Sequence, residues 1–285
     1  MNREDRAKKI RGQLTKLASS RGNLSVNELR IVLALERIVA RLVNNPGLEN
    51  HLVYKGGFVL LKTLESDRFT RDLDALGVEI DKARVVELVP KALDADIGDG
   101  FWFGDIKVQN LEVQGEYGAL RFDCAYQIGE PDLKKIAKLS RIHFDVGFGD
   151  SIPTKLKTTV SESLLQGDSP ISWKVYPPEF MFSEKLQTLV QRASANSRAK
   201  DVYDLPLLFE QCKDKASLHK AVRMTFENRD TEIPASFYAF AKGLDLMQIE
   251  MSWRSVRLIG ESDFQSVWKR LLTTLKKFDT DFFAQ

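Results

Sequence analysis

Residues 51–78 read HLVYKGGFVLLKTLESDRFTRDLDALGV and hold the two features that decide the fold. Gly56 and Gly57 precede an apolar, helix-like run, and a glycine pair that opens a helix lets backbone N–H groups approach a phosphate. Asp72 and Asp74 follow, with one apolar residue between them. Residues i and i+2 of a strand point to the same face, so this spacing predicts two carboxylates that project together.

Two adjacent carboxylates repel each other unless a cation lies between them. Mg²⁺ is bound by one or two carboxylates together with substrate phosphates, and such sites carry out phosphoryl transfer. Asp72 and Asp74 are therefore candidate ligands of a metal-dependent phosphoryl-transfer site, although the pair taken alone favours a plainer interpretation. Taken singly, each motif has a plainer alternative, namely a turn for the glycines and two solvated side chains at a sheet edge for the aspartates.

A third carboxylate is expected from a later strand. In residues 141–148, RIHFDVGF, apolar residues alternate with polar ones and place Asp145 on the polar face. Asp123 in the segment LRFDCAYQI satisfies the same alternation, and Asp150 follows the end of the later strand. Asp145 is the preferred third acid, with Asp123 left open as its rival.

Further polar residues lie in the second half of the chain. Lys185 is predicted on a helix, off its apolar stripe, where a lysine can meet a nucleoside triphosphate as a point charge. Asp201 and Asp204 lie one helical turn apart in the segment RAKDVYDL, residues 198–205. The alternative is a surface lysine together with a structural Asp–Lys or Asp–Arg pair.

Composition limits the class of protein. The chain has 285 residues, of which 43% are hydrophobic and 29% charged, as in a globular protein of one large or two modest domains. There is no apolar run long enough for a transmembrane helix and no apolar segment of a secretory signal at the N-terminus. Two cysteines and three histidines argue against a disulfide framework and against a Cys/His zinc site. We therefore expect a soluble, cytoplasmic protein.

Apolar periodicity predicts a mixed protein with a helix first, then strands, then a helical second half. The predicted helices cover residues 25–43, 83–95, 179–194, 199–212, 215–227, 234–245 and 261–278, and the predicted strands lie around 72–79, 106–114, 119–128 and 141–148. The two middle strands read as an antiparallel hairpin. This order indicates an α+β protein with two lobes.

Charge is uneven along the chain, although the formal net charge is only +2. Residues 1–41 contain ten Lys and Arg against four acids. A basic face can track a phosphate backbone, and it would make binding sensitive to salt. Charge alone favours the alternative, which is a solvated amphipathic helix.

Taken together and in order, these motifs resemble the AbiEii/AbiGii toxin family of nucleotidyltransferases, which includes MenT-type toxins. The matching segments are KGG at 55–57, RFTRDLD at 68–74, Asp145 on the later strand, EKL at 184–186 and RAKDVYDL at 198–205. They span roughly residues 51–208. Phe58 departs from the family pattern, in which a small Ser or Thr often follows the glycines, so a hydroxyl contact to phosphate is not expected there.

The resemblance implies a polymerase-β-like nucleotidyltransferase core, a mixed sheet with flanking helices, followed by a helical C-terminal domain. Residues 1–175 would form the nucleotidyltransferase domain with the N-terminal helices, and residues 176–285 the helical domain. Asp72 and Asp74 would hold Mg²⁺ or Mn²⁺, with Asp145 as a third metal ligand.

The resemblance also implies contacts to the nucleotide. Lys55, Gly56, Gly57 and Lys185 would bind the NTP, and Asp201 or Asp204 would complete the catalytic set with Lys185. The protein would be the toxin of a toxin–antitoxin pair, with a cognate antitoxin as its partner.

Its activity would be transfer of nucleotides to the 3′ acceptor end of tRNA, which blocks translation. The alternatives are nucleotidyl transfer to a protein hydroxyl and a non-catalytic nucleotide- or RNA-binding module.

Overall fold

The computed structural model describes residues 2–21, 24–111, 118–150, 152, 156–260 and 262–284. The chain divides into two compact units. The first unit comprises Met1–Gly149 and Lys157–Val175, and the second comprises Asp150–Leu156 and Tyr176–Gln285. Residues 150–156 thus group with the second unit, whereas the sequence assigned them to the first domain; the domain roles themselves stay a prediction.

A mixed sheet of five strands, in the order β1-β2-β5-β4-β3, forms the centre of the first unit. Its strands are β1 (Leu52–Lys55), β2 (Leu73–Gly77), β3 (Phe101–Leu111), β4 (Ala119–Ile128) and β5 (Ser140–Phe148). β2 and β5 are parallel and the other neighbours are antiparallel. A separate antiparallel ribbon contains β6 (Thr158–Ser161) and β7 (Ile171–Lys174).

Four α-helices belong to the first unit among its described residues: α1 (Arg3–Arg21), α2 (Val26–Val43), α3 (Gly56–Thr63) and α4 (Lys82–Asp94). The helix predicted over 25–43 is confirmed, and it begins with a capping box formed by Ser25 and Glu28. The Ser25 hydroxyl accepts a hydrogen bond from the Glu28 N–H at 3.2 Å, and the Glu28 carboxylate accepts one from the Ser25 N–H at 2.8 Å. These bonds satisfy two N–H groups that a helix start otherwise leaves unpaired.

The predicted hairpin is confirmed as β3 and β4, although β3 begins earlier, at Phe101, than the sequence indicated. The predicted end of that strand, residues 112–114, lies outside the described residues. β1, β6 and β7 were not predicted, because strands of four residues are too short to show an alternating pattern.

The basic N-terminal segment differs both from the solvated amphipathic helix that its charge alone favoured and from a continuous basic face. α1 packs through three small or aliphatic side chains that are buried, Ala7, Ile10 and Leu14. Around this narrow stripe, arginines make ion pairs to the rest of the first unit. Arg3 binds Asp96 at 2.8 Å and also Glu130 at 3.0 Å.

The remaining arginine contacts extend the same pattern to α2. Arg6 and Arg37 both pair with Asp168. Arg41, which is 2% exposed, binds both carboxylate oxygens of Asp99 at 3.0 and 2.8 Å. Half of the local cations are thus neutralised inside the unit, counting Arg11, which pairs with Glu4. The expected basic face is therefore reduced to the remaining side chains, of which Lys8, Lys9 and Lys16 are exposed.

The second unit is helical in its described part, as predicted. Its α-helices are α5 (Pro178–Arg192), α6 (Ala199–Gln211), α7 (Lys215–Asn228), α8 (Phe237–Lys242), α9 (Met247–Trp253) and α10 (Phe264–Phe282). The helix predicted over 234–245 is shorter, because Gly243 caps α8. α9 was not predicted, and α10 runs four residues beyond the predicted end. The start predicted at residue 261 lies outside the described residues.

Aromatic rings fill the core of the second unit. Phe278 of α10 lies 5.4 Å from Phe182 and 5.4 Å from Phe237, centroid to centroid. All three rings are at most 1% exposed. No helix in the described parts of the chain is long and apolar enough to cross a membrane.

Candidate active site

Four charged residues form one row across the sheet of the first unit. The strand register pairs Lys55 of β1 with Asp74 of β2, Asp74 with Asp145 of β5, and Asp145 with Arg121 of β4. Residues paired in register on neighbouring strands point to the same face. The row therefore places two carboxylates side by side, with one cationic residue at each end.

Asp72 lies two residues before Asp74, immediately ahead of β2. A histidine lies beside it, one row away from Asp74 and Asp145. The Nε2 atom of His143 lies 3.1 Å from Oδ1 of Asp72. His143 itself is two residues before Asp145 on β5 and so shares its face. The structure thus gathers Asp72, Asp74 and Asp145 on one face, as the sequence predicted for the strand pattern.

Gly56 allows the start of α3 to approach the Asp74 carboxylate. Its backbone has φ +78°, and a Cβ atom at this position would lie 2.0 Å from Oδ2 of Asp74. Any side chain at residue 56 would therefore displace the carboxylate, so both the conformation and the close approach require glycine.

Gly57 faces a different neighbour. A Cβ atom there would lie 2.6 Å from Nη2 of Arg68 and 3.1 Å from Oγ1 of Thr70. Thr70 is buried and its hydroxyl accepts a hydrogen bond from the Asp72 N–H at 3.3 Å. The loop before β2 is thereby packed against the helix start, which fixes the position of Asp72 just ahead of the strand.

Phe58 follows the two glycines and is buried, with its ring 5.8 Å from the ring of Trp173. Its role is packing, which agrees with the expectation that no hydroxyl meets phosphate at this position.

Arg121 holds the third carboxylate. Its Nε and Nη2 atoms donate to the two oxygens of Asp145 at 2.8 and 2.7 Å, the bidentate geometry for which guanidinium is suited. The pKa of Arg121 is raised above its usual value, first by this hydrogen bond and then by the charges of Asp145, Asp72 and Asp74. The direction of this shift shows that the face carries a negative field that favours cations.

Asp123, the rival third acid, has other partners. Both of its carboxylate oxygens accept from Nε of Arg141, at 3.0 and 3.1 Å, and its register partner on β5 is His143. It lies one row away from Asp74 and one strand farther across the sheet. The register therefore favours Asp145 as the neighbour of Asp74, and its role as third ligand stays a prediction.

The carboxylates of this face are the donors available to a divalent cation. Among the described residues, no group of three or more His, Cys, Asp or Glu side chains is arranged to hold a metal ion. Asp72 and Asp74 nevertheless fit a Mg²⁺ or Mn²⁺ ion, because one or two carboxylates suffice when substrate phosphates supply the other oxygens. Because residue 56 is a glycine, it has no side chain that could cover the Asp74 carboxylate.

The second unit contains a buried ionic triad. Nζ of Lys185 on α5 lies 2.5 Å from Oδ1 of Asp201 and 3.0 Å from Oδ2 of Asp204, both on α6. Nε of Arg198 binds the other oxygen of Asp201 at 2.6 Å. The two aspartates are 2% and 0% exposed. The structure thus brings together the three residues that the sequence singled out in this half of the chain.

Burial alone would raise the pKa of Asp201, but the charges of Lys185 and Arg198 outweigh it and hold that pKa well below the usual range. Asp201 is therefore ionised at neutral pH, and the triad is a charged network rather than a surface lysine. Asp150, which follows the end of β5 and was noted as a further acid near that strand, belongs to this unit, where Nη2 of Arg229 binds it at 2.9 Å.

Sequence reasoning missed Arg121 and His143 as members of the charged face. Their signal was present, because both occupy polar positions of alternating strands, but only the strand register shows which carboxylate each one meets.

The sequence profile of the family described as nucleotidyl transferase AbiEii toxin, type IV toxin–antitoxin system, matches residues 37–283. The chain belongs to the AbiEii family. It is thus a nucleotidyltransferase, the toxin of a type IV toxin–antitoxin system, and membership implies a nucleotide substrate and a cognate antitoxin. None of the curated proteins matches the chain.

Solved structures support the fold of this AbiEii member. JHP933 from Helicobacter pylori is similar with a TM-score of 0.57 at 15% identity, covering 92% of this chain and 96% of that one. MenT4, a nucleotidyltransferase toxin from Mycobacterium tuberculosis, is similar with a TM-score of 0.56 at 19% identity, covering 96% of this chain and 92% of that one. These likenesses confirm the mixed α/β core with a helical C-terminal region.

Proposed function

We propose that this AbiEii toxin transfers nucleotides from an NTP to the 3′ acceptor end of tRNA, in a reaction that depends on Mg²⁺ or Mn²⁺. The observation that carries the proposal is the row of Lys55, Asp74, Asp145 and Arg121, with Asp72 beside it. Such a row concentrates negative charge between two cations on one rigid sheet. Modified in this way, the tRNA would no longer accept an amino acid, and translation would stop.

Asp72 and Asp74 are the residues proposed to hold the cation. When bound there, a divalent ion would neutralise charge on the α-phosphate and on the pyrophosphate that leaves. The protein has little covalent work in this reaction, so its task is to position and to stabilise charge. Gly56 serves positioning, since it lets backbone N–H groups of α3 lie beside the Asp74 carboxylate.

Asp145 and Arg121 are proposed to act as a pair. The bidentate contact keeps Asp145 oriented next to Asp74, while the positive charge of Arg121 limits the repulsion among the three carboxylates. Lys55 ends the row on the other side and is proposed to meet NTP oxygens together with the N–H groups of Gly56 and Gly57.

Lys185 is proposed to contact a nucleotide phosphate, with Asp201 and Asp204 as its positioning residues. Two buried carboxylates hold its ammonium group in one place, which lowers the entropy lost when a phosphate binds. Helix α1 is the proposed contact surface for the RNA backbone, because Lys8, Lys9 and Lys16 on it are exposed.

The test is incorporation of each of the four labelled NTPs into total tRNA with Mg²⁺. We expect labelling by the wild type and at least a hundredfold loss for Asp74→Ala, on the scale seen when a positioning or charge-stabilising group is removed. Asp94→Ala is the matched control, because Asp94 is an exposed aspartate of the same unit, and it should keep full activity.

Equal labelling by wild type and Asp74→Ala would refute the site. Labelled product that survives nuclease but not protease would replace the RNA acceptor with a protein hydroxyl. Binding of NTP without any pyrophosphate release, unchanged in Asp74→Ala, would indicate a non-catalytic module.

A further inference from the structure

A cavity of about 470 Å³ lies in the second unit and is lined by the end of α6, the start of α7 and the last turns of α10. Its volume is in the range of small-molecule sites, about 300–1,000 Å³. The buried part of its lining consists of Cys212, Leu218, His219 and Phe278. The exposed part consists of Glu210, Lys213, Lys215, Lys277 and Thr280.

His219 is the unusual member of this lining. It is 4% exposed, and neither of its ring nitrogens has a hydrogen-bond partner among the described residues. The ring stands edge-on to Phe282 at 5.1 Å and to Phe278 at 6.0 Å. Buried polar atoms are nearly always hydrogen-bonded, so this imidazole calls for a partner that the chain does not supply.

The charges at the rim leave two cations available. Lys215 pairs with Asp281, and Glu210 pairs with Arg270 at 3.0 Å. Lys213 donates to the backbone oxygen of Glu210 at 2.7 Å and has no carboxylate partner in the described parts of the chain. Within the same residues Lys277 forms neither a hydrogen bond nor an ion pair. The rim therefore favours an anion.

These groups match the parts of a nucleotide. A neutral imidazole offers one donor and one acceptor nitrogen, which suits the edge of a base, and aromatic rings are the usual contact for its faces. Lysine ammonium groups bind phosphate as point charges. We propose that this cavity binds one nucleoside monophosphate unit, with its base against His219 and the half-buried ring of Phe209 and its phosphate at Lys213 and Lys277.

The cavity is distinct from the ionic triad of the same unit. Asp204 lies in the middle of α6 and Cys212 is its C-cap, so the two are eight residues apart, which corresponds to about 12 Å along the helix axis. The unit bound is either a free nucleotide or one nucleotide of an RNA. Binding of a nucleotide that is part of an RNA rests on the proposed RNA acceptor, whereas binding of a free nucleotide does not depend on the proposed function.

Histidine NMR signals give a direct test. The chain has three histidines, and His143, which contacts Asp72, reports separately on the nucleotidyltransferase site. 5′-AMP, GMP, CMP and UMP are added up to about 10 mM, which detects millimolar dissociation constants. We expect at least one of them to shift the His219 signals saturably. No shift of the His219 signals with any of the four would overturn the proposal.

Two lysine variants supply the matched pair. Lys277→Glu reverses a charge at the cavity, and Lys276→Glu makes the same change at the next exposed residue of α10, which does not line it. We expect the first to weaken nucleotide binding by about tenfold or more, since a charge-assisted contact is lost, and the second to change it by less than about twofold. Equal weakening in both variants would contradict the assigned site, because only a general charge effect would remain.

Steady-state kinetics of nucleotide transfer show whether the bound unit is a free nucleotide or one nucleotide of an RNA. If the unit belongs to the RNA, Lys277→Glu raises the KM for the RNA acceptor and leaves the KM for NTP unchanged. If it is a free nucleotide, both KM values stay unchanged while the NMR titration still shows weakened binding. Should the wild type transfer nothing to RNA, the proposed function fails, and the His219 titration still decides the cavity.

Discussion

Replacing Gly56 by alanine is the most direct test of how the site is built. The new Cβ atom would lie 2.0 Å from Oδ2 of Asp74 and 2.9 Å from its Cγ. Contacts below about 3 Å do not occur for real Cβ atoms, so the carboxylate or the helix start must move by about 1 Å. Residue 56 also has φ +78°, where a side chain is strained.

The expected magnitude has two parts. Left-handed backbone costs a non-glycine residue about 1–2 kcal/mol. Forcing extra atoms into a packed site costs about 1–3 kcal/mol more. Gly98 allows the backbone cost to be measured without the steric cost, because it has φ +73° and no atom lies within 4 Å of where its Cβ would be. We therefore expect Gly98→Ala to lose only the backbone part, and Gly56→Ala to lose about 2–5 kcal/mol of unfolding free energy.

Urea unfolding followed by circular dichroism measures the stability part, and NTP incorporation measures the catalytic part. A displacement of about 1 Å in a catalytic constellation costs on the order of a hundredfold in rate, so Gly56→Ala should be nearly inactive. Gly98→Ala should remain active.

The double variant with Asp74→Ala isolates the contact. Removing the carboxylate leaves only Cβ of Asp74, 3.2 Å from the new atom, so Gly56→Ala in that background should cost about as much as Gly98→Ala. The reasoning would be refuted by a Gly56→Ala protein that is as stable as Gly98→Ala and as active as the wild type.

Three further outcomes follow from the ionic contacts. Asp201→Asn should lose about 3–5 kcal/mol at pH 7, because two cations lose a buried carboxylate. The folded-state pKa of Asp201 lies below its usual value of 3.8, so the ionised carboxylate stabilises the fold above about pH 4 and loses this effect as the pH falls. In urea unfolding, the difference in unfolding free energy between wild type and Asp201→Asn should therefore become smaller below about pH 4. Asp145→Asn should lose NTP incorporation by about a hundredfold, whereas Asp123→Asn should keep it, and the reverse result would exchange their roles. Arg41→Met should destabilise the protein by about 3–5 kcal/mol, because Asp99 stays buried without its partner, and an unchanged urea midpoint would contradict this.

Local patterns of the sequence were sufficient for the two strands that carry the site's carboxylates, but not for β1, which carries Lys55. The alternation in residues 141–148 predicts the face of Asp145, and the spacing of Asp72 and Asp74 predicts their common direction. Neither pattern contains the order of the strands. That β5 lies between β2 and β4, which brings Asp145 beside Asp74, depends on long-range pairing that no local period encodes.

Contacts between distant side chains were beyond the sequence for the same reason. Arg121 and Asp145 are 24 residues apart, and Lys185 and Asp201 are 16 apart on different helices. Each of these residues has an ordinary surface interpretation until the fold brings it to its partner. Sequence reasoning therefore found the residues of the triad and left open whether they touch one another.

The N-terminal charge shows why a count of cations is a poor guide to a nucleic-acid face. Guanidinium groups bind carboxylates in a bidentate way and tolerate burial, whereas ammonium groups are strongly hydrated. In this chain carboxylates of the first unit form ion pairs with Arg3, Arg6 and Arg41, while Lys8 and Lys9 of α1 remain exposed. The same segment thus does two things: several of its arginines tie the N-terminal helices to other parts of the first unit, and exposed lysines of α1 remain to meet a phosphate backbone.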